Sequence, residues 1–161
     1  MSTLKIGMPS TPQERRLLSA SSPVFFDTYY CGMRYADHRK KWLSAFDESW
    51  DSAREQGDKG RLLVLAPRDH GKTELGITYA LRAICLNRDV RILWICESSA
   101  QAEKRMRRVK SLLKSEKIVE DWTKDPLAGC VSFISEDQTW TQTQVYVNRN
   151  IDSVDPTLTA I

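Results

Sequence analysis

Residues 61–73, RLLVLAPRDHGKT, carry the clearest structural signal in the chain. Five of the first six are apolar and turn-forming residues flank them, which is typical of a short buried strand over residues 61–66. A polar loop follows, and apolar residues at helical spacing then predict a helix from Lys72 to Leu86. We therefore expect a strand, a loop and a helix in direct succession.

The same order recurs immediately afterwards. Residues 90–96 indicate a second buried strand, and Ser98 followed by Gln101 has the spacing of a capping box at a helix start. The helix is expected to run to about Ser115. Alternation of strands and helices is typical of a parallel sheet, so the predicted fold is an α/β P-loop NTPase-type parallel sheet flanked by helices.

The remaining segments give weaker signals. Residues 1–22 mix small polar, proline and charged residues, and they predict either a mobile N-terminal arm or a peripheral helix around residues 13–19. Residues 23–161 are assigned to one domain. Residues 130–135 and 142–149 alternate in polarity and predict two more strands, joined as a hairpin or separate.

Aromatic residues mark the part of the domain that precedes the loop. Residues 23–30, PVFFDTYY, form an aromatic cluster. Trp42, Phe46 and Trp50 then recur every four residues and predict a helix over residues 35–54 that packs through its aromatic stripe.

Length and composition narrow the class of protein. The 161 residues suit one domain or part of a larger protein, and 41% hydrophobic residues exclude disorder along the whole length. The mean hydropathy is −0.45, and no apolar run approaches the roughly 20 residues of a membrane helix. The N-terminus lacks the apolar core of a secretory signal, so we expect a soluble, cytosolic protein.

The four cysteines are scattered and do not have metal-ligand spacing. They are Cys31, Cys85, Cys96 and Cys130. Cys85 and Cys96 lie in apolar runs, which favours buried reduced thiols over disulfides or zinc ligands.

Charge is unevenly distributed along the chain. The net charge of +3 is too small to indicate nucleic-acid binding by itself. From residue 118 onward there are seven acidic residues against Lys124 and Arg149, a balance of −5, so the first 117 residues carry +8.

The loop after the first predicted strand matches the pattern GxxxxGK[ST], except that Ala66 replaces the first glycine. Successive backbone N–H groups that end at a helix N-terminus bind phosphate oxygens. Gly71 allows close backbone approach, Lys72 is predicted to reach the β- and γ-phosphates, and the Thr73 hydroxyl is predicted to ligate Mg²⁺. A polar turn that contains Gly-Lys-Thr by chance is the alternative.

All residues of the loop are predicted to contribute to nucleotide binding. Arg68 adds a permanent bidentate phosphate donor, and a solvated side chain is its alternative role. His70 is predicted to pack within the loop rather than to act as an acid or base. The candidate phosphate-binding residues are Ala66, Pro67, Arg68, Asp69, His70, Gly71, Lys72 and Thr73.

Three stretches together resemble a known family. Residues 66–73 are similar to a variant Walker A loop in which Arg stands three residues before the Gly of Gly-Lys-Thr. Residues 25–30, with His38 and the aromatic helix, are similar to a segment that helps to form an adenine pocket. Residues 155–161 resemble the stretch that leads to a glycine-rich turn before a Walker B strand. The family is the large terminase subunits of tailed bacteriophages, the ATPases that drive DNA into the capsid.

The resemblance implies an ATP-binding part of a viral DNA-packaging motor that couples ATP hydrolysis to translocation of double-stranded DNA. Lys72 and Arg68 would be its catalytic residues, and ATP and Mg²⁺ its cofactors. The implied partners are double-stranded DNA, the portal protein and the small terminase subunit, in a homo-oligomeric ring without a membrane. The implied place is the cytoplasm of the bacterial host, and not the mature virion.

For several residues the sequence leaves two alternative roles open. Phe26 or Tyr29 is predicted to stack on adenine, and plain core packing is the alternative. Glu97 is either close to the metal site or a surface or helix-cap residue. The basic helix over residues 104–117 either contacts DNA phosphates or is an ordinary solvated helix face.

One part of the family pattern is missing: no apolar strand that ends in two acids follows the loop. We therefore expect the N-terminal portion of a longer protein, truncated before the Walker B strand, with little or no ATP turnover by itself. The alternatives are another P-loop NTPase of the helicase or nucleoside-kinase kind and a nucleotide-binding module that does not hydrolyse.

Overall fold

The computed structural model of the chain describes residues 9–34, 36–56, 61–124, 132–134, 140–151 and 154–161, and over residues 52–56 it describes the backbone alone. Helices predominate in these ranges. They are α1 (Pro12–Ser21), α2 (Pro23–Cys31), α3 (Asp37–Gln56), α4 (Lys72–Leu86), α5 (Ser99–Leu113) and α6 (Glu116–Thr123). The strands are β1 (Ile92–Trp94), β2 (Gln144–Val145) and β3 (Leu158–Ala160).

The three strands form one small mixed sheet in the order β1-β3-β2. β1 pairs with β3 in parallel, with Leu93 opposite Thr159, and β2 pairs with β3 in antiparallel fashion, with Val145 opposite Leu158. The chain passes from β1 through α5 and α6 before it returns to β3, as a parallel pair requires. One side of β3 thus faces a parallel neighbour and the other an antiparallel one.

The predicted fold class was wrong. Within the described ranges the chain is mostly helical and has a small mixed sheet, not a P-loop NTPase-type parallel sheet flanked by helices. The largest single error concerns residues 61–66, which were predicted to form a buried strand and contain no strand. Leu63 and Leu65 are 80% and 82% exposed.

The physical reason is that an apolar run does not make a strand without a hydrogen-bonding neighbour. A strand is stable only where its N–H and C=O groups pair with an adjacent strand. Among the described residues, the strand pairings join β1 to β3 and β3 to β2, and neither involves residues 61–66. The apolar composition of residues 61–66 predicted a buried strand. Without an adjacent strand to pair with, these residues form no strand, and Leu63 and Leu65 stay exposed.

The helices were predicted better than the strands. α4 begins and ends where it was predicted, because its apolar positions recur at helical spacing and fill the core. Ser98 is the N-cap of α5, and its hydroxyl accepts a 3.4 Å hydrogen bond from the Gln101 N–H. The predicted strand over residues 90–96 is shorter, since β1 spans Ile92–Trp94.

The two C-terminal strand predictions lie partly outside the described residues. Residues 130, 131 and 135 are not described, but Ile134 and Val147 form an isolated antiparallel bridge. The Asn148 N–H also donates to the Phe133 carbonyl at 3.2 Å. The two segments therefore meet in antiparallel orientation, although β2 itself contains only Gln144–Val145.

α3 confirms the predicted helix but packs differently from the prediction. The most buried residues of its described side chains are Arg39 and Leu43, which lie one helical turn apart. Trp42 and Phe46 are half-buried, and Trp50 is exposed. The aromatic stripe therefore flanks the buried face of the helix instead of forming it.

The aromatic cluster forms the helix α2, which α1 precedes along the chain. Pro12 and Pro23 occupy the first positions of α1 and α2, where proline is tolerated, and Thr11 and Ser22 are the N-caps. The helix alternative for residues 13–19 is thus confirmed. Gly32 ends α2 with φ 66°, in the left-handed region.

A buried carboxylate joins α1 and α2 to α6. Asp121 is 1% exposed and accepts two hydrogen bonds from Arg15, at 2.7 and 2.6 Å. The Tyr30 hydroxyl donates to the same carboxylate at 2.7 Å. Burial, together with this hydrogen bond, raises the pKa of Tyr30. α1 is therefore fixed to α6 by directed charged contacts.

The apolar core lies between the helices and the sheet. α4 contributes Ile77, Leu81 and Ile84, and α5 contributes Met106 and Val109, all nearly inaccessible to solvent. None of the helices in the described ranges combines the length and the apolar character that a bilayer crossing requires.

Two cysteines of the described chain differ in exposure, and we expect them to differ in reactivity. Cys31 is buried, which raises the pKa of its thiol to about 12, whereas Cys96 is half-buried. Because the thiolate is the reactive form, brief treatment with iodoacetamide at pH 8 should modify Cys96 at least about tenfold faster than Cys31. Peptide mass spectrometry measures both rates. Equal rates in the folded protein would contradict the described burial, and unfolding in urea should equalise them.

Candidate functional site

The predicted phosphate loop leads directly into α4. Gly71 is the N-cap of this 15-residue helix, with φ 77° and ψ 16°, and Lys72 and Thr73 are its first residues. Both of these side chains are exposed, and no side chain caps the helix start. The first N–H groups of a helix have no intrahelical acceptor and carry partial positive charge. The loop thus presents hydrogen-bond donors to solvent.

Left-handed residues shape the turn of the loop. Among the described residues the positive φ values are those of Gly32, Asp69 (64°) and Gly71 (77°). Ala66, which replaces the first glycine of the motif, is not one of them. The backbone at this position therefore does not require glycine.

The Lys72 side chain forms hydrogen bonds with the start of its own loop. Its Nζ donates to the carbonyl oxygens of Ala66 and Pro67, the latter at 2.5 Å. An ammonium group has three donors, and here two of them are directed at the start of the loop. The cationic end of Lys72 is thus held at the loop, where it is accessible to an anion.

Arg68 and His70 are both exposed parts of the loop. The His70 Nδ1 lies 2.8 Å from the Arg68 carbonyl oxygen, so this nitrogen carries the proton and donates. The His70 ring centroid is 5.9 Å from that of His38, which packs edge-on against Trp42 at 4.8 Å. The two histidines of the chain therefore meet at the loop, which fits the packing role predicted for His70.

Arg39 lies behind the loop and was not singled out from the sequence. It is 6% exposed, and its guanidinium contacts Asp27 of α2 at 2.9 Å. Its Nη1 donates to the Gly71 carbonyl at 3.4 Å, and its Nη2 donates to the Thr78 hydroxyl at 3.4 Å. One signal was available: Arg39 falls on the same face of α3 as the buried Leu43.

Thr73 is the predicted ligand of Mg²⁺. It is exposed beside Lys72 at the start of α4. In the described ranges no group of three or more His, Cys, Asp or Glu side chains is placed to hold a metal ion. Glu97 is exposed and accepts a hydrogen bond of 3.1 Å from the Gln101 side-chain amide, as expected for a surface residue, and the N-cap of the helix is Ser98.

The two aromatic residues predicted to stack on adenine are engaged within the chain. Phe26 is 1% exposed and belongs to the core, which was its alternative role. Tyr29 stacks on Phe25, with ring centroids 5.3 Å apart, and the Lys117 ammonium lies 4.6 Å from the Tyr29 centroid.

A cavity of about 490 Å³ adjoins the loop at Lys72 and Thr73 and extends along α4 to β1. Its lining is mainly apolar, with aromatic rings from Phe46, Trp50 and Trp94. Such a lining suits apolar groups and not phosphates.

The outer face of α5 is basic, as predicted, although the helix ends at Leu113. Lys104 and Arg107 are exposed, whereas Arg105 donates to the Cys96 sulfur at 2.9 Å. Contact between this face and DNA stays a prediction.

Gly71 is the residue at which a substitution should test the loop geometry. An added Cβ would be strained by the positive φ and would lie 3.2 Å from Arg39 Nη1. We expect Gly71→Ala to destabilise the protein by about 1–2 kcal/mol and to weaken nucleotide binding. Urea unfolding and titration calorimetry measure the two effects.

Gly32 supplies the matched control. It has the same backbone conformation, φ 66°, and a Cβ there would meet nothing within 4 Å. Gly32→Ala should cost about 1 kcal/mol of stability and leave nucleotide binding unchanged. Equal losses of binding in both variants would show that the loop is not the site.

Compared with protein-family models, curated proteins and solved structures, the chain gives no match.

Proposed function

We propose that the chain binds the phosphate groups of a nucleoside triphosphate, with Mg²⁺, at residues 66–73. The observation that carries this proposal is the exposed junction at which left-handed Gly71 opens α4 directly before Lys72 and Thr73. Unsatisfied N–H groups, the helix dipole and a lysine ammonium favour the same ligand, which is a multiply charged oxyanion.

The residues present fit the phosphates. Arg68 and Lys72 supply exposed cationic donors, and main-chain N–H groups at the start of α4 supply neutral ones. Because the Lys72 ammonium is held by two carbonyl oxygens, which are weaker partners than phosphate oxygens, an anion can compete for it.

One residue of the site, Thr73, has a side chain suited to Mg²⁺. The exposed Thr73 hydroxyl would hold Mg²⁺ together with the nucleotide, and His70 would pack the turn. Mg²⁺ bound in this way supplies charge neutralisation of the phosphates. Arg68, Lys72 and the backbone N–H groups orient the phosphate chain.

The resemblance to large terminase subunits extends the proposal to its cellular role. ATP is then the nucleotide, and its hydrolysis drives double-stranded DNA into a capsid in a ring with portal and small-subunit partners. Lys72 and Arg68 would stabilise the charge that develops on the transferred phosphoryl group. These statements depend on the similarity of residues 66–73 and their flanks, and not on the sheet.

Titration calorimetry tests phosphate binding. We expect ATP and inorganic tripolyphosphate to bind in the presence of Mg²⁺ at least about tenfold more tightly than adenosine, since the phosphates supply the main contacts. Equal affinity for adenosine and ATP, or no binding of either anion, would contradict the proposal.

A phosphate-release assay with bound ATP distinguishes an ATPase from a module that binds nucleotide without hydrolysing it. Turnover that disappears in Lys72→Ala supports an ATPase. Binding without turnover, unchanged by added DNA, supports a nucleotide-binding module that does not hydrolyse.

A further inference from the structure

We infer that Arg39 is a positioning residue for the phosphate loop: its guanidinium fixes the peptide plane that joins Gly71 to Lys72. Because this inference deepens the proposed function and rests on it, the tests below separate the two.

Arg39 connects three parts of the chain from a buried position. It pairs with Asp27 on α2, donates to the Gly71 carbonyl in the loop and donates to the Thr78 hydroxyl on α4. Asp27 and Thr78 are each 1% exposed, so the contacts with these two residues are protected from water, and the contact with Gly71 is partly buried. The planar guanidinium presents its donors in a fixed fork, which makes such a three-way contact geometrically specific.

The contact with Gly71 determines where the next N–H group points. In a trans peptide the C=O and N–H bonds point in opposite directions, and the described chain contains no cis peptide. The Gly71 carbonyl is held on the inner side by Arg39 and by the Leu75 N–H, at 2.9 Å. The Lys72 N–H is therefore directed away from Arg39, toward the open side of the loop.

The position of Arg39 also explains why residue 71 is glycine. The left-handed conformation favours glycine by itself. A Cβ would in addition lie 3.2 Å from Nη1 of Arg39, closer than ordinary contact. The loop and Arg39 are thus mutually adapted, and Arg39 acts on the site by holding the Gly71 carbonyl.

Arg39→Lys is the variant of choice. Lysine keeps the positive charge beside Asp27 but lacks the fork that reaches Gly71 and Thr78 as well. Arg82 provides a matched control, since it is 7% exposed, pairs with Asp47 at 2.8 Å and donates to the carbonyls of Ser19 and Ala20, away from the loop.

Two measurements on each variant test the inference. Without nucleotide, hydrogen exchange at the Leu75 amide, which donates to the Gly71 carbonyl, should be about tenfold faster in Arg39→Lys and unchanged in Arg82→Lys. With Mg·ATP, the affinity should fall by about tenfold in Arg39→Lys, because a less ordered loop binds more weakly. In Arg82→Lys the affinity should stay within about twofold.

Equal effects of the two variants on exchange would overturn the inference, since a general loss of stability would then explain them. If the parent protein binds no ATP, the proposed function fails, and the exchange data alone decide whether Arg39 positions the loop. Should Arg39→Lys not fold, the double variant D27N/R39Q replaces it, with D47N/R82Q as its match.

Discussion

Lys72→Ala is expected to weaken binding of Mg·ATP by about 10- to 100-fold, because a charge-assisted hydrogen bond to phosphate contributes about 1.5–3 kcal/mol. In the structure the Lys72 ammonium donates to two loop carbonyls and is exposed, so it lies at the predicted binding surface. The side chain is exposed, so its removal takes away the two loop contacts and leaves the apolar core intact. Titration calorimetry at one ionic strength measures the change.

Lys40→Ala is the control for this loss. Lys40 is exposed on α3 and pairs with Asp37 at 3.5 Å, a surface contact of small energy. Its removal changes the net charge by the same amount, and affinity should stay within about twofold. Equal losses in both variants would indicate general charge attraction instead of a site at the loop.

Asp121→Ala is expected to produce the largest loss of stability, about 3–5 kcal/mol, because it leaves a buried charge without its partner. The carboxylate accepts both hydrogen bonds of Arg15 and that of Tyr30, and Arg15 is itself mostly buried. Losing it removes the charged hydrogen bonds that join α1 and α2 to α6. Urea unfolding followed by circular dichroism measures the change in the free energy of unfolding.

A surface ion pair calibrates this prediction. Asp155 pairs with Arg91 at 2.7 Å, and both side chains are more than half exposed. Asp155→Ala should change the free energy of unfolding by at most about 1 kcal/mol. If the two aspartate variants lose the same stability, the carboxylate of Asp121 does not join the helices as described.

The sequence predicted the helices well because local patterns determine them. α4 follows from the spacing of its apolar residues, and the start of α5 follows from Ser98 as an N-cap. The helical form of residues 23–31 was missed, although Ser22 and Pro23 are a typical cap and first residue.

The sheet was predicted poorly because strand pairing is not local. Residues 61–66 have the composition of a buried strand, yet Leu63 and Leu65 are exposed and no described strand pairs with them. β2 and β3 are stabilised by partners far away in sequence, which periodicity does not reveal. Apolar content therefore identified segments that are able to form strands, but it did not identify the strands with which they pair.

The candidate site was predictable in part. The loop from Ala66 to Thr73 and its junction with a helix were evident from one motif. The buried arginine behind it was not, because Arg39 contacts Asp27, Gly71 and Thr78 across three separate elements. Long-range contacts of charged residues have no signature in local sequence.

Amide hydrogen exchange with and without saturating Mg·ATP shows directly whether the phosphates bind at residues 66–73. We expect slower exchange at the amides of residues 68–73 when the nucleotide is bound, and little change in α1 and α6. Bound nucleotide that leaves the loop amides unchanged while it slows exchange elsewhere would contradict it.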